Sequence, residues 1–227
     1  MNDRTFDRAA ALGGVGFVAL AGVASAIAPT TMALDTDVAE IRSKVAEHAD
    51  RLGASALLTG LAMLALGLFL GYLHRRLRAV EPRDCSSVPA CFALAASSLV
   101  TIGLVGAVLQ ALVAHHLDGF DDSTVLLTFR LWQFVSYNLS ALPAAVVMLL
   151  VGVRVVQTGM FPRWTGVVAI VSAFGGLGAV SVLYITGDNA PVMLDAGPFV
   201  LAGLWMVATG IAAIVRPTVV VAHAQAA

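Results

Sequence analysis

Long stretches without charge divide this chain, and they constrain its fold more than any other feature of the sequence. Six windows contain no Asp, Glu, Lys or Arg: 9–34, 52–74, 85–117, 131–153, 164–187 and 196–215. A helix needs about 20 mostly apolar residues to cross a hydrocarbon core of roughly 30 Å, so each window is long enough to cross once. Backbone groups in lipid must hydrogen-bond within their own segment, which favours helices over open strands.

The composition agrees with a membrane protein. Only 12% of the 227 residues are charged, whereas a soluble domain carries about 25%, so an ordinary soluble enzyme is excluded. We predict an all-α polytopic bundle, a single domain over residues 1–227, with one amphipathic extracytoplasmic helix between spans one and two. The six predicted transmembrane helices lie at about 9–29, 53–73, 90–113, 131–153, 165–186 and 197–215.

Lys and Arg set the predicted orientation, because cytoplasmic segments of membrane proteins are enriched in them. With both chain ends inside, four basic residues lie outside: Arg42, Lys44, Arg51 and Arg130. The other nine lie inside: Arg4, Arg8, Arg75, Arg76, Arg78, Arg83, Arg154, Arg163 and Arg216. Arginine, alanine, glycine and valine have GC-rich codons and are abundant, so we place the chain in a bacterial cytoplasmic membrane.

The first window has an alternative interpretation as a cleaved signal peptide. Arg4 and Arg8 precede an apolar stretch, and Ala24-Ser25-Ala26 resembles a cleavage site. In that case five spans remain and the mature N-terminus lies outside.

Residues 35–52 form the largest polar segment and predict an amphipathic outer helix that runs into span two. Val38, Ile41, Val45 and Leu52 recur at helical spacing. Asp37 and Glu40 fit a capping box, and favourable i,i+4 pairs join Glu40 to Lys44 and Glu47 to Arg51. Two roles stay open for this helix: a cover over the outer surface of the bundle, or a lid over a pocket.

Small residues mark the predicted contact faces, because lipid gives no hydrophobic drive for helices to associate. The first such face lies on span two and comprises Gly53, Ala56, Gly60, Gly67 and Gly71. The second lies on span three and comprises Ala96, Gly103 and Gly106, with Gln110 continuing it.

Polar residues inside a membrane are the first candidates for a functional site. Arg130, Gln133, Tyr137 and Ser140 lie on one face of span four. Pro143 follows them and is expected to bend the helix. One hypothesis is a polar ligand pocket in the outer half, in which Arg130 holds an anionic or carbonyl group and Gln110 contributes from span three. The alternative has Arg130 extending to the outer interface while Gln133 and Tyr137 bond to neighbouring helices.

The outer loop after span three offers weak metal ligands: His115, His116, Asp118 and Asp122. Adjacent histidines point to different sides of a helix, and neither a zinc nor a calcium spacing is complete. We therefore expect no metal here, and an acidic cap with Asp118 or Asp122 near Arg130. No phosphate loop or facing histidine pair predicts a cofactor, and no basic surface predicts nucleic-acid binding.

A turn motif carries a resemblance to known proteins. Residues 157–166 follow the pattern Gly-x-x-Pro-x-Trp-x-Gly, and segments 40–52, 77–78 and 204–216 match the same group. The sequence resembles uncharacterised bacterial six-span membrane families and is similar to the domain of unknown function 4386 group. The resemblance implies a six-span bundle and transfers no catalytic residue.

Three functions follow as hypotheses. The first is non-enzymatic binding of a small apolar or amphipathic ligand in the outer half of the bundle. The second is an accessory or assembly subunit that acts through helix–helix contacts, with a homo-oligomer or another membrane protein as partner. The third is a membrane enzyme that acts on lipid at the outer leaflet through His115, His116 or the nearby aspartates.

Overall fold

The computed structural model describes residues 3–28, 36–81, 87–186 and 192–215, and within these ranges it contains helices and no strands. A short 3-10 turn covers Leu117–Gly119, and a π-helical segment covers Phe134–Leu139. The seven α-helices are α1 Asp3–Ile27, α2 Val38–Val80, α3 Ser87–His116, α4 Asp122–Gln133, α5 Ala141–Thr158, α6 Arg163–Thr186 and α7 Val192–Val215.

Four helical stretches are long and apolar enough to cross a membrane: Asp7–Ile27, Val38–Val80, Ser87–His116 and Asp122–Thr158. They contain predicted spans two to four and overlap span one as far as Ile27, which confirms the all-α class and indicates a membrane protein. The last stretch joins α4, the π segment and α5 into one helix. Helices α6 and α7 coincide with the last two uncharged windows, and α7 includes an apolar part at Val200–Val215.

The helices pack in a closed ring that follows the chain. Each helix contacts the next one in sequence, α3 contacts the whole α4–α5 unit, and α7 returns to α1. Helix α2 also touches α5 across the ring. We call the end that carries Arg75 and Arg154 the basic end, and the end that carries Asp37 and Asp122 the acidic end. An ion pair between Asp7 and Arg75 joins α1 to α2 at the basic end.

Helix α2 contains both the amphipathic segment and span two, as the sequence predicts. At 1.5 Å per residue its 43 residues reach about 65 Å, roughly twice the hydrocarbon thickness. The helix kinks at His48, which has φ −124° and ψ 19°. The Asp37 side chain accepts from the Val38 amide at 2.8 Å, so it caps the helix without the reciprocal bond of the predicted capping box.

The predicted charge pairs on this helix have different outcomes. Lys44 lies 2.6 Å from Glu40, which confirms that pair. Glu47 instead has a long contact, 4.0 Å, with His48 Nε2.

The larger hydrophobic core lies in the basic half of the ring. Phe69 and Trp205 meet there edge to face, with ring centroids 6.0 Å apart. The ring has six sides when the α4–α5 unit is counted as one. All six contribute buried residues to this core, among them Ala10, Leu73, Phe92, Val151, Ala169 and Trp205.

A second hydrophobic cluster lies in the acidic half and joins α2, α3 and α4. It confirms the predicted apolar stripe, because Ile41, Val45 and Leu52 are all buried in it. Their partners come from the end of α3, the 3-10 turn and α4: Val113, Ala114, Leu117, Val125 and Phe129. The amphipathic part of α2 therefore covers these two helices.

Glycine contacts differ from the predicted small-residue faces. A Cβ built on Gly60 or Gly71 would meet nothing within 4 Å, so the prediction that they mark a contact inside the bundle is wrong. The tightest glycine contact between helix backbones joins α1 to α2, where a Cβ on Gly13 would clash with the carbonyl oxygen of Ala65. A reciprocal pair of glycines joins α5 to α6. There a Cβ on Gly152 would lie 2.8 Å from the carbonyl oxygen of Gly166, and the reverse substitution gives the same distance.

Candidate functional site

A chain of polar groups crosses three helices in the acidic half. Gln110 is buried, and its Nε2 donates to Ser55 Oγ at 3.0 Å. The Ser55 hydroxyl in turn donates to the carbonyl oxygen of Ala24 at 3.0 Å. These bonds join α3, α2 and α1 inside the bundle. Gln110 was predicted as a site residue, whereas Ser55 was missed because its neighbours in sequence are small and apolar.

Pro143 explains the π segment that precedes it. Proline has no N–H, and its ring clashes with the carbonyl of the residue four positions earlier. That residue is Leu139, where the π segment ends. The sequence predicts a bend here, and the structure places a wider turn of helix on the side that precedes the proline. Such π segments occur frequently at functional sites.

The π segment packs closely against α3. A Cβ on Gly106 would lie 2.7 Å from the Ser136 hydroxyl oxygen, so only glycine lets the two helices approach this far. Gly106 lies one turn before Gln110 on α3. Ser140 belongs to the same region, and its hydroxyl donates to the Ser136 carbonyl oxygen at 2.8 Å. The predicted stripe on span four and the polar face of α3 thus meet around Ser136.

The remaining predicted site residues are less enclosed. Arg130 is exposed in the last turn of α4, and Gln133 is half-buried one turn later. Tyr137 belongs to the π segment, but its side chain lies outside the described residues, as does the side chain of Asp118. Burial therefore decreases from Gln110 towards Arg130 at the acidic end.

Arg42, rather than Arg130, binds the acidic loop. Its guanidinium donates to the carbonyl oxygens of Leu117 at 2.7 Å and Phe120 at 2.6 Å. It also lies 3.0 Å from Asp122 Oδ1. Asp122 thus pairs with Arg42, from the amphipathic part of α2, in place of the expected Arg130, whereas the side chain of Asp118, the other residue expected near Arg130, lies outside the described residues. These bonds from Arg42, which we call the clamp, hold the loop after α3 against the amphipathic part of α2.

The predicted weak metal ligands are separated in the structure. His115 faces α2, where a Cβ on Gly53 would lie 2.5 Å from its Nε2, and His116 is exposed. Among the described residues, no three His, Cys, Asp or Glu side chains are placed to hold a metal ion. Asp121 precedes α4, and a hydrogen bond from Ser123 holds the pKa of its carboxyl below the usual range.

The turn motif between α5 and α6 has a clear geometric basis. Gly159 ends α5 with φ 66°, a left-handed conformation that favours glycine. Pro162 precedes α6, and its carbonyl oxygen accepts from the Thr165 amide at 2.9 Å and from the Thr165 hydroxyl at 2.8 Å. Phe161 is buried in the core, whereas Trp164 is exposed.

Comparisons with known proteins give one match. A family model described as Domain of unknown function (DUF4386) matches residues 12–216. No curated protein and no solved structure matches the chain. The match covers most of the chain and includes the turn motif, the clamp and the π segment, and the chain therefore belongs to the DUF4386 family.

Proposed function

We propose that this chain is a six-span protein of a bacterial cytoplasmic membrane, with both ends in the cytoplasm. In this proposal the protein binds a small apolar or amphipathic ligand in the acidic half of the bundle. Six spans are supported by the ring, because α6 and α7 complete it and coincide with uncharged windows. The proposed orientation is supported by the arginines at the basic end.

The observation that carries the ligand proposal is the contact between the π segment and α3. The Ser136 hydroxyl lies against Gly106, Ser140 donates to the Ser136 carbonyl oxygen, and the buried Gln110 lies one turn beyond Gly106 on α3. Pro143 gives no N–H to the Leu139 carbonyl, so an acceptor is freed nearby. Polar groups in lipid need partners, and a ligand with one polar group and an apolar body supplies them.

The two hydrophobic cores differ in how many helices contribute to them. The core of the basic half draws on every side of the ring. Among the described residues, the buried cluster of the acidic half draws only on α2, α3, the 3-10 turn and α4, so it lies to one side. The same end also has an open cleft of about 460 Å³ beside α1 and α2, separate from the proposed site residues and lined by Ala26, Ile27, Ala28, Asp50, Arg51 and Ala54. Ligand sites span about 300–1,000 Å³.

Native mass spectrometry of the gently solubilised protein tests this proposal. We expect a defined extra mass that is lost in Arg130→Ala and in Ser136→Ala. The matched controls are Arg78→Ala, an exposed arginine at the basic end, and Ser97→Ala, an exposed serine that bonds only to its own helix. Heterogeneous lipid adducts alone, or a defined mass that all four variants retain, would contradict the proposed pocket.

Orientation has a separate test. Cys85 lies between spans two and three, on the proposed cytoplasmic side. A thiol reagent that does not cross membranes should leave it unlabelled in intact cells and label it after permeabilisation. Labelling in intact cells would reverse the orientation.

A second candidate function is assembly through helix contacts. Gly71 is exposed on α2, Gly67 lies one turn before it, and no Cβ contact within 4 Å covers Gly71. A Cβ on Gly67 would lie 3.8 Å from Val100, so only the Gly71 end of this small-xxx-small pair is open to the close approach of another helix. The spectra should then show an oligomer or a partner that Gly71→Leu disrupts and Gly178→Leu does not, because Gly178 on α6 is equally uncovered but has no small residue four positions away.

A further inference from the structure

Arginines at the basic end outnumber their acidic partners. Among the side chains that the structure describes there, Asp7 pairs with Arg75 and Glu81 pairs with Arg154. Four more guanidinium groups have no carboxylate partner among the described side chains: Arg8, Arg76, Arg78 and Arg163. This end therefore presents an uncompensated positive charge.

Arg76 differs from the other three because its guanidinium is held in place. Its Nε donates to the Tyr72 hydroxyl at 2.9 Å, and its central carbon lies 5.2 Å from the centroid of the same ring. Tyr72 is itself buried, with 3% of its surface exposed. Both contacts leave the two terminal nitrogens, Nη1 and Nη2, without an acceptor in the described part of the chain. A guanidinium with both terminal nitrogens free matches two oxygens of a phosphate.

Tyr72 and Arg76 lie at the depth expected of a lipid headgroup. Tyr72 lies in the last turn of predicted span two, and Arg76 lies three residues beyond the end of that span at 73. Tyrosine and arginine both favour the boundary between hydrocarbon and headgroups. We propose that Arg76, positioned by Tyr72, binds the phosphate of an anionic phospholipid in the leaflet at the basic end. This site lies at the opposite end of the bundle from the proposed ligand site.

Arg75 supplies a matched control for the test. It is the neighbouring residue on the same helix, and its substitution changes the net charge equally, but it is already paired with Asp7. Dioleoylphosphatidylglycerol is titrated into the detergent-solubilised full chain, binding is followed by native mass spectrometry, and dioleoylphosphatidylcholine serves as the neutral lipid. We expect Arg76→Gln to weaken phosphatidylglycerol binding about tenfold and Arg75→Gln less than about threefold. Equal losses would show general surface charge and overturn the proposal, as would no loss in either variant.

Two further variants test how the phosphate is held. Tyr72→Phe keeps the ring but removes the hydroxyl that accepts from Arg76, so binding should weaken about threefold. Arg76→Lys keeps the charge without the planar fork, and it should lose most of the affinity. This variant also decides the question if Arg76→Gln does not fold, because full affinity in Arg76→Lys would overturn bidentate binding.

Inorganic phosphate carries the same oxygen acceptors as a phospholipid headgroup and is the other group that Arg76 could bind. Inorganic phosphate should leave phosphatidylglycerol binding unchanged. Displacement of the lipid at equal concentrations would assign the site to a soluble phosphate compound and overturn the lipid assignment.

Discussion

Replacing Arg154 should destabilise the bundle more than replacing its partner Glu81. Arg154 on α5 lies 2.5 Å from Glu81 Oε1, at the C-terminal cap of α2. The Glu81 side chain is only 4% exposed, and its second oxygen has no hydrogen-bond donor in the described part of the chain. Arg154 is 23% exposed and also donates to Gln157 at 3.0 Å. The carboxylate therefore depends on Arg154, whereas the guanidinium has a second partner and water.

This asymmetry sets the expected magnitudes. Arg154→Met leaves a buried carboxylate unpaired at a helix C-terminus, where an anion is already unfavourable, and such a loss costs about 3–5 kcal/mol. Glu81→Gln leaves an arginine that still reaches water, so we expect about 1–2 kcal/mol. Removing both charges should cost less than removing Arg154 alone, because apolar replacements of buried pairs are often close to neutral.

Thermal unfolding in one detergent measures these differences. A chain of this length shifts its Tm by about 2–4 °C per kcal/mol, so Arg154→Met should lower Tm by about 6–20 °C and Glu81→Gln by about 2–8 °C. Asp122→Asn is the control, since Asp122 is 78% exposed and an exposed pair contributes at most about 1 kcal/mol.

Two results would refute this reasoning. If Arg154→Met is no more harmful than Asp122→Asn, Glu81 has found another partner or water. If the double variant instead shows the sum of the two single losses, the charges do not act as a pair.

Three further predictions address the contacts of α6, α2 and α4. Gly166→Ala should lower the free energy of unfolding by about 1–3 kcal/mol, because the new methyl group forces α5 and α6 apart. Gly60→Ala adds a methyl group that meets nothing within 4 Å, so it should be neutral or stabilising by up to about 1 kcal/mol. Measuring Tm for both variants tests this difference. Arg42→Met should release the loop after α3, so amide exchange should rise in the amphipathic part of α2 and leave the basic half unchanged. The lowered pKa of Asp121 means that its contribution is present above about pH 3.9 and is lost as the pH falls through the lowered value. Amide exchange in the first turn of α4 should rise there, and Ser123→Ala should weaken this pH dependence without abolishing it, because Thr124 also lowers the pKa of Asp121.

The sequence was sufficient for features that depend on local pattern. Uncharged windows and helical spacing predicted α1, α2, α3 and α5 and the continuation of the amphipathic segment into span two, whereas α4 extends span four back to Asp122, before its predicted start at 131. The buried stripe of Ile41, Val45 and Leu52 was also correct, because a 3.6-residue period places these side chains on one face whatever lies opposite. Pro143 predicted a disturbance in span four for a similarly local reason, namely its missing N–H.

Partners distant in sequence could not be predicted in the same way. Asp122 was expected near Arg130, eight residues along the chain, but Arg42 reaches it across 80 positions. The charge pattern allows both pairs. Which arginine pairs with Asp122 depends on the angle at which the amphipathic part of α2 lies on α3 and α4. The hydrophobic cluster around Val125 and Phe129 sets that angle.

Contact faces are hard to predict in a membrane protein because lipid is as apolar as the side chains it surrounds. Gly60 and Gly166 both lie in apolar helices with small residues nearby, yet one faces open space and the other touches a helix backbone. Leu64 and Phe174 are likewise large, apolar and exposed, so hydropathy does not separate inside from outside here. A buried polar group identifies the interior of the bundle more reliably than hydropathy does, because a polar group surrounded by lipid must have a hydrogen-bond partner. Ser55 shows this: its bonds to Gln110 and Ala24 locate the interior of the acidic half, although no sequence pattern distinguishes it from an ordinary small residue.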